Sequence, residues 1–166
     1  MISERLEQVR ERVASAAQKV GRDPDEITIV AVSKVKPAVD IVTAYKAGQR
    51  HFGENYVQEF QGKRAGLPAL PGAIFHMIGQ LQSNKTTLAS KIFDVVQTVD
   101  NEKLARRLND TKRGVDIFLE VKLSVEESKS GLAEADIATV KRYVEGCPYL
   151  QLRGLMGMPP WFDDPE

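Results

Sequence analysis

Apolar residues in the first twenty positions recur at Ile2, Leu6, Val9, Val13, Ala16 and Val20. Spacing by threes and fours gathers them on one face of an amphipathic helix. Gly21 suits its C-terminal cap, and Pro24 prevents the helix from resuming. The pattern then changes to a short continuous apolar run, Ile27 to Val32, which predicts a buried strand reaching Lys34. Pro37 opens a second helix carrying Val39, Ile41, Val42 and Tyr45, and Gly48 stops it. A short strand at His51 to Gly53 leads into a helix from about Asn55, where Asn55 and Gln58 have the spacing of a capping box.

The Pro- and Gly-rich stretch from Gly66 to Gly72 is a break. Beyond it the pattern predicts strands at Ile74–Ile78, Val95–Val99, Ile117–Leu123 and Leu150–Met156. Between them lie helices capped by Ser83 or Asn84, opened by Asp100, and preceded by Ser130-Gly131. Pro159 and Pro160 end regular structure. One helix followed by alternating strands and helices argues for parallel βα units with right-handed crossovers. That leaves an open doubly wound sheet or part of a (β/α)8 barrel. No Gly-rich dinucleotide fingerprint follows the first strand, which removes the usual support for an open-sheet cofactor fold.

On this architecture the residues after each strand converge at one end. They include Lys34, Asn55, Gln80, Ser83, Asn84, Asp100, Ser128 and Lys129, with Met156 near the tip of the last strand. Such a mixture suits a polar, partly anionic small molecule. Lys34 is the most informative, because a lysine held at a strand tip against apolar walls can lose its proton and attack a carbonyl. A solvated lysine where strand meets loop is the alternative. Asn55 and Asn84 read equally as helix caps, and His76 as a core histidine with a satisfied hydrogen bond. His51 is too far in sequence from any Cys or His cluster to suggest zinc.

Composition narrows the picture. The 166 residues, 42% hydrophobic and 28% charged, are those of one soluble globular domain. Lys plus Arg equals Asp plus Glu, 23 each, so no overall field favours nucleic acid or an anionic membrane. No apolar run is long enough to span a bilayer, and the N-terminus lacks the core of a signal peptide. A single cysteine, Cys147, cannot form an internal disulfide and fits a reducing, cytoplasmic compartment. It reads as structural filler before Pro148.

Five blocks carry a resemblance. Ala31 to Pro37, Phe52 to Glu59, His76 to Lys85, Ser128 to Leu132 and Leu152 to Met156 closely resemble, in order, the pyridoxal 5′-phosphate homeostasis protein family (YggS/PROSC). The resemblance implies a TIM-barrel-type (β/α)8 domain like the N-terminal domain of alanine racemase, here over 1–166 as one cofactor-binding domain. It implies that Lys34 holds pyridoxal 5′-phosphate as a Schiff base. Asn55, His76 and Met156 match positions beside the cofactor ring, and Ser83 and Asn84 fall in a block near the same mouth. It further implies a carrier or buffer of the cofactor in intracellular homeostasis, with no catalytic residue and no metal.

Three departures stand out. Phe75 occupies a position where the family usually has tryptophan, and Lys122 one where it commonly has asparagine. Lys122 therefore either snorkels outward or contacts an anion. The third is that the family's last strands, with the turn that grips the cofactor phosphate, have no counterpart after Trp161. Six strands predict an incomplete barrel with exposed edges, hence possible self-association. The alternatives are a racemase-like enzyme of the same fold type, a cofactor-free Schiff-base aldolase, and a fragment that no longer binds the cofactor stably.

Overall fold

A computed structural model describes residues 1–123 and 130–159. The elements follow the alternation of the sequence. Helix α1 spans Ile2–Lys19, β1 Val30–Val32, α2 Ala38–Lys46, β2 His51–Glu54, α3 Val57–Gly66 and β3 Ile74–Met77. Then come α4 at Thr86–Ile92, β4 at Val95–Val99, α5 at Glu102–Asn109, β5 at Val115–Val121, α6 at Glu134–Glu145 and β6 at Leu150–Gly157. Single 3₁₀ turns at Pro24–Glu26 and Ser83–Lys85 complete the order. The part of the predicted tips at Ser128 and Lys129, and the segment from Pro160 onward, lie outside the described residues.

Among the described residues six strands, all parallel, pair in chain order, with β1 and β6 at the two edges. The sequential strand order makes this a partial barrel, one of the two options the alternation leaves. Alternating side chains explain where the core sits. Phe52, Phe75, Met77, Val96, Val99, Ile117 and Leu119 point toward the helices and are buried with Phe60, Leu104, Leu108 and Val144. Phe60 anchors this layer, its ring 4.8 Å from that of Phe75 and 4.9 Å from that of Phe93. The Phe75 departure is therefore a packing matter: the ring is buried among aromatics beneath the Arg64 guanidinium.

Several boundaries differ from the sequence reading. β1 keeps only three of its eight predicted residues. The Gln49 side chain occupies the ladder before it, donating to the carbonyls of Ile29 and His51. The Asn55–Gln58 capping box does not form; the cap position is Tyr56, with no side-chain bond. Neither Ser83 nor Asn84 caps α4, because a 3₁₀ turn intervenes and Lys85 takes the cap position. The cap of α5 is Asn101 rather than Asp100, its side chain accepting from the Leu104 N–H. β5 ends at Val121, which leaves Lys122 just outside the strand, half-buried, its N–H on the Leu132 carbonyl.

Candidate functional site

Parallel strands bring all the following loops to one end of the sheet, so the C-terminal tips form one surface. Lys34 sits there two residues beyond β1, exposed, in a turn closed by the Lys36 N–H on the Ser33 carbonyl at 3.1 Å. Exposed Lys36 adds a second cation beside it. Asn55 follows β2 directly and is half-buried. Its backbone is pressed against Gly79 so closely that a Cβ on Gly79 would lie 2.4 Å from the Asn55 carbonyl oxygen. The second and third sequence blocks thus meet backbone to backbone, which is why a glycine follows β3. Lys85 ties them again by donating to Gln58 at 2.7 Å.

Ser83 and Asn84 occupy the 3₁₀ turn after β3, Ser83 half-buried and Asn84 exposed. Ser83 lines a cleft of about 270 Å³ with Gln80, Thr98 and Asp100. Met156 is the penultimate residue of β6 and pairs in register with Glu120, so both side chains share one face. That face is the one turned away from the helices. His76 shares it in β3, since its neighbours Phe75 and Met77 point into the helix layer. Among the described residues no hydrogen bond or ion pair joins Lys34 to the other predicted site residues.

His76 is buried and fully bonded. Gln97 donates to its Nδ1 at 3.0 Å, so the proton of the neutral ring lies on Nε2 and is donated to His51 Nδ1 at 2.9 Å. Burial, followed by the proximity of His51, pushes its pKa down from 6.5 to about 4 against the opposing pull of Asp116. His76 is thus a buried histidine with both ring nitrogens bonded, and it lies on the helix-free face. Among the described residues no three His, Cys, Asp or Glu side chains gather to hold a metal ion.

Sequence reasoning missed two features. One is Glu120, whose Oε1 accepts from Ser130 at 3.0 Å while its buried Oε2 has no partner among the described residues. Burial raises its pKa, and Asp100 adds to this against the Ser130 bond. The other is a charge cluster beneath Lys34. Glu54 is fully buried, and its carboxylate accepts from Ser33 Oγ at 2.8 Å and from Lys63 at 2.8 and 3.1 Å. Lys63 also pairs with Glu59 at 2.7 Å. The hint available in the sequence was Glu59 and Lys63 at helical i,i+4 spacing.

A cavity of about 390 Å³ lies at the opposite end, lined by Arg10, Ile27, Gln49 and His51 among others. Those residues precede the strands, where barrel conservation serves stability rather than chemistry. The tips carry the amine and the unpartnered carboxyl, so they are the candidate site. Cys147 is buried, its thiol donating to the Tyr143 carbonyl, and burial raises its pKa. This is a packing role.

A family model described as the alanine racemase N-terminal domain matches residues 5–166. The chain is 43% identical over 164 residues to the pyridoxal phosphate homeostasis protein of Escherichia coli K12, covering 95% of this chain and 70% of that one. It is likewise 43% identical, over 162 residues, to the protein of the same name from Pseudomonas aeruginosa PAO1, with the same coverage. The solved structure of PipY from Synechococcus elongatus with PLP bound is similar at TM-score 0.84 and 37% identity, over 98% of this chain and 73% of that one. Alanine racemase from Bacillus anthracis shares the fold at TM-score 0.63 and 15% identity, over 92% of this chain and 39% of that one.

Proposed function

The chain belongs to the alanine racemase N-terminal-domain family and, within it, to the pyridoxal phosphate homeostasis proteins, and from that membership we propose that it binds pyridoxal 5′-phosphate through Lys34. The observation that carries the proposal is an exposed primary amine at the tip of β1, at the end of the sheet where parallel α/β folds bind ligands. The cofactor supplies an aldehyde, with which a primary amine condenses reversibly as one water leaves. We assign Lys34 as that amine.

The residues present fit such a group. The unpartnered Glu120 oxygen offers a hydrogen-bonding site to a polar ligand. Lys34 and Lys36 favour an anionic one. Asn55, Ser83 and Asn84 would furnish polar contacts at the tips, and His76 and Met156, on the helix-free face, would help to hold the ring. In this reading the protein is a carrier in cofactor homeostasis, acting in the cytoplasm, with Lys34 binding and releasing rather than turning over a substrate. Relatives of the same fold are racemases, but the names at 43% identity are those of homeostasis proteins.

The test is to add pyridoxal 5′-phosphate, follow the absorbance of the lysine-linked cofactor, reduce with borohydride and map the adduct by peptide mass. Wild type is expected to carry one adduct, on Lys34, and Lys34→Ala none there. Equal spectra and equal labelling of the two proteins would defeat the assignment. Incubating the loaded protein with L-alanine is expected to yield no D-alanine.

A further inference from the structure

The charge cluster beneath Lys34 has a geometry that plain packing does not require. Lys63 donates to the Ser33 carbonyl at 2.7 Å, the residue immediately before Lys34. The residue immediately after, Val35, donates its backbone N–H to Glu59 Oε1 at 2.7 Å. Glu59 Oε1 is also the atom paired with Lys63. Buried Glu54 completes the frame by accepting from both Ser33 Oγ and Lys63. Both peptide neighbours of Lys34 are therefore gripped by one connected set of three charged side chains on β2 and α3.

Val35 shows that the grip is under load. Its φ is +52°, a left-handed conformation that a β-branched residue rarely adopts. Such a conformation persists only where the surroundings over-determine it, and it clusters at ligand-binding and active sites. Here the surroundings are the Glu59 carboxylate and the Ser33–Lys36 turn. Among the described residues the Lys34 side chain has no hydrogen-bond partner, while the backbone on either side is fixed.

We propose that Lys63, Glu54 and Glu59 are positioning residues for Lys34, clamping its flanking peptides so that the amine is presented in a geometry ready to link to the aldehyde of the cofactor. The inference rests on the assignment of Lys34 made above. A reacting amine on a loose turn would pay the cost of ordering at each encounter; the clamp removes that cost in advance. Glu59 is the most useful handle. Its side chain is more exposed than that of Lys63, so removing it releases Val35 while the buried Glu54–Lys63 pair stays intact.

The test compares wild type, Glu59→Ala and Glu59→Gln, each checked for a folded near-UV circular dichroism spectrum. Two quantities are read: the rate constant for linkage of pyridoxal 5′-phosphate to Lys34, and the affinity for pyridoxine 5′-phosphate, which lacks the aldehyde. Glu59→Ala is expected to slow linkage by about tenfold while changing the affinity by less than about twofold. Glu59→Gln, which keeps an acceptor for the Val35 N–H, is expected to recover most of the rate. If linkage and affinity fall together, the cluster is merely structural and the inference fails. It fails equally if Glu59→Ala links at the wild-type rate. A wild-type chain that forms no adduct on Lys34 would instead overturn the cofactor assignment, and this inference with it.

Discussion

His76 donates from Nε2 to His51 Nδ1 across 2.9 Å, while its own Nδ1 accepts from Gln97. Residues 25 apart in sequence meet because β2 and β3 are neighbours, His51 pairing with Ile74, two residues before His76 on the same face. Protonating His76 would bury a positive charge away from water and set it beside a second imidazole, that of His51. That is the physical content of its depressed pKa.

Stability should therefore fall on mild acidification. Between pH 6.5 and about 4 the unfolded chain takes up a proton at His76 that the folded chain does not. The group costs nothing above pH 6.5, and the loss grows as pH falls toward 4, to roughly 3 kcal/mol. Urea denaturation at pH 7, 5.5 and 4.5 measures this slope. A His76→Gln protein should show a shallower one, and an unchanged slope would count against the assignment.

Glu120 should behave in the opposite sense. Its folded pKa lies above 4.5, so stability is fully present below 4.5 and declines as pH rises through the folded value. Glu120→Gln should remove this decline and leave the protein more stable at pH 8 than wild type. Parallel urea titrations at pH 4 and 8 decide it, provided the difference between the two proteins changes with pH.

Lys63 is held above its usual pKa: burial pulls it down, but the hydrogen bonds to Glu54 and Glu59 outweigh that. Lys63→Met leaves fully buried Glu54 without its cation and should cost about 3–5 kcal/mol. Adding Glu54→Gln to the same protein should return part of the loss, because the uncompensated charge is then gone. A double variant no more stable than Lys63→Met would show that the pair is not coupled.

Among the described residues β1 and β6 have open edges, and we propose that the 166-residue chain associates through them. β1 and β6 terminate the sheet, and exposed Val32 and Leu155 lie on them. Unpaired parallel edges are templates for a second chain. Sedimentation velocity over a wide concentration range should show reversible dimer or higher species. A monomer throughout would contradict the proposal.

Much of this protein is written locally. The alternation of strands and helices, the β4 boundaries at Val95 and Val99, and the amphipathic face of α1 follow from periodicity and turn chemistry, which depend on residues within one element. Lys34 was visible for the same reason, as a cation ending an apolar run. The helix caps were misplaced at Asn55, Ser83 and Asp100 because cap chemistry alone does not decide where a chain leaves a strand. The backbone contact between Asn55 and Gly79 is one thing that does.

The site itself is mostly tertiary. Glu54 carries no sign of function in sequence, lying in a short strand, and Lys63 reads as a solvated helix lysine. Parallel pairing of β1 with β2, and the packing of α3 behind them, put both within 3 Å of Ser33. The same lateral pairing makes the His51–His76–Gln97 chain. Local pattern determined which residues stand at the strand tips; neighbouring strands decided what holds them, since cross-strand contacts join positions twenty or more residues apart that no sequence period relates.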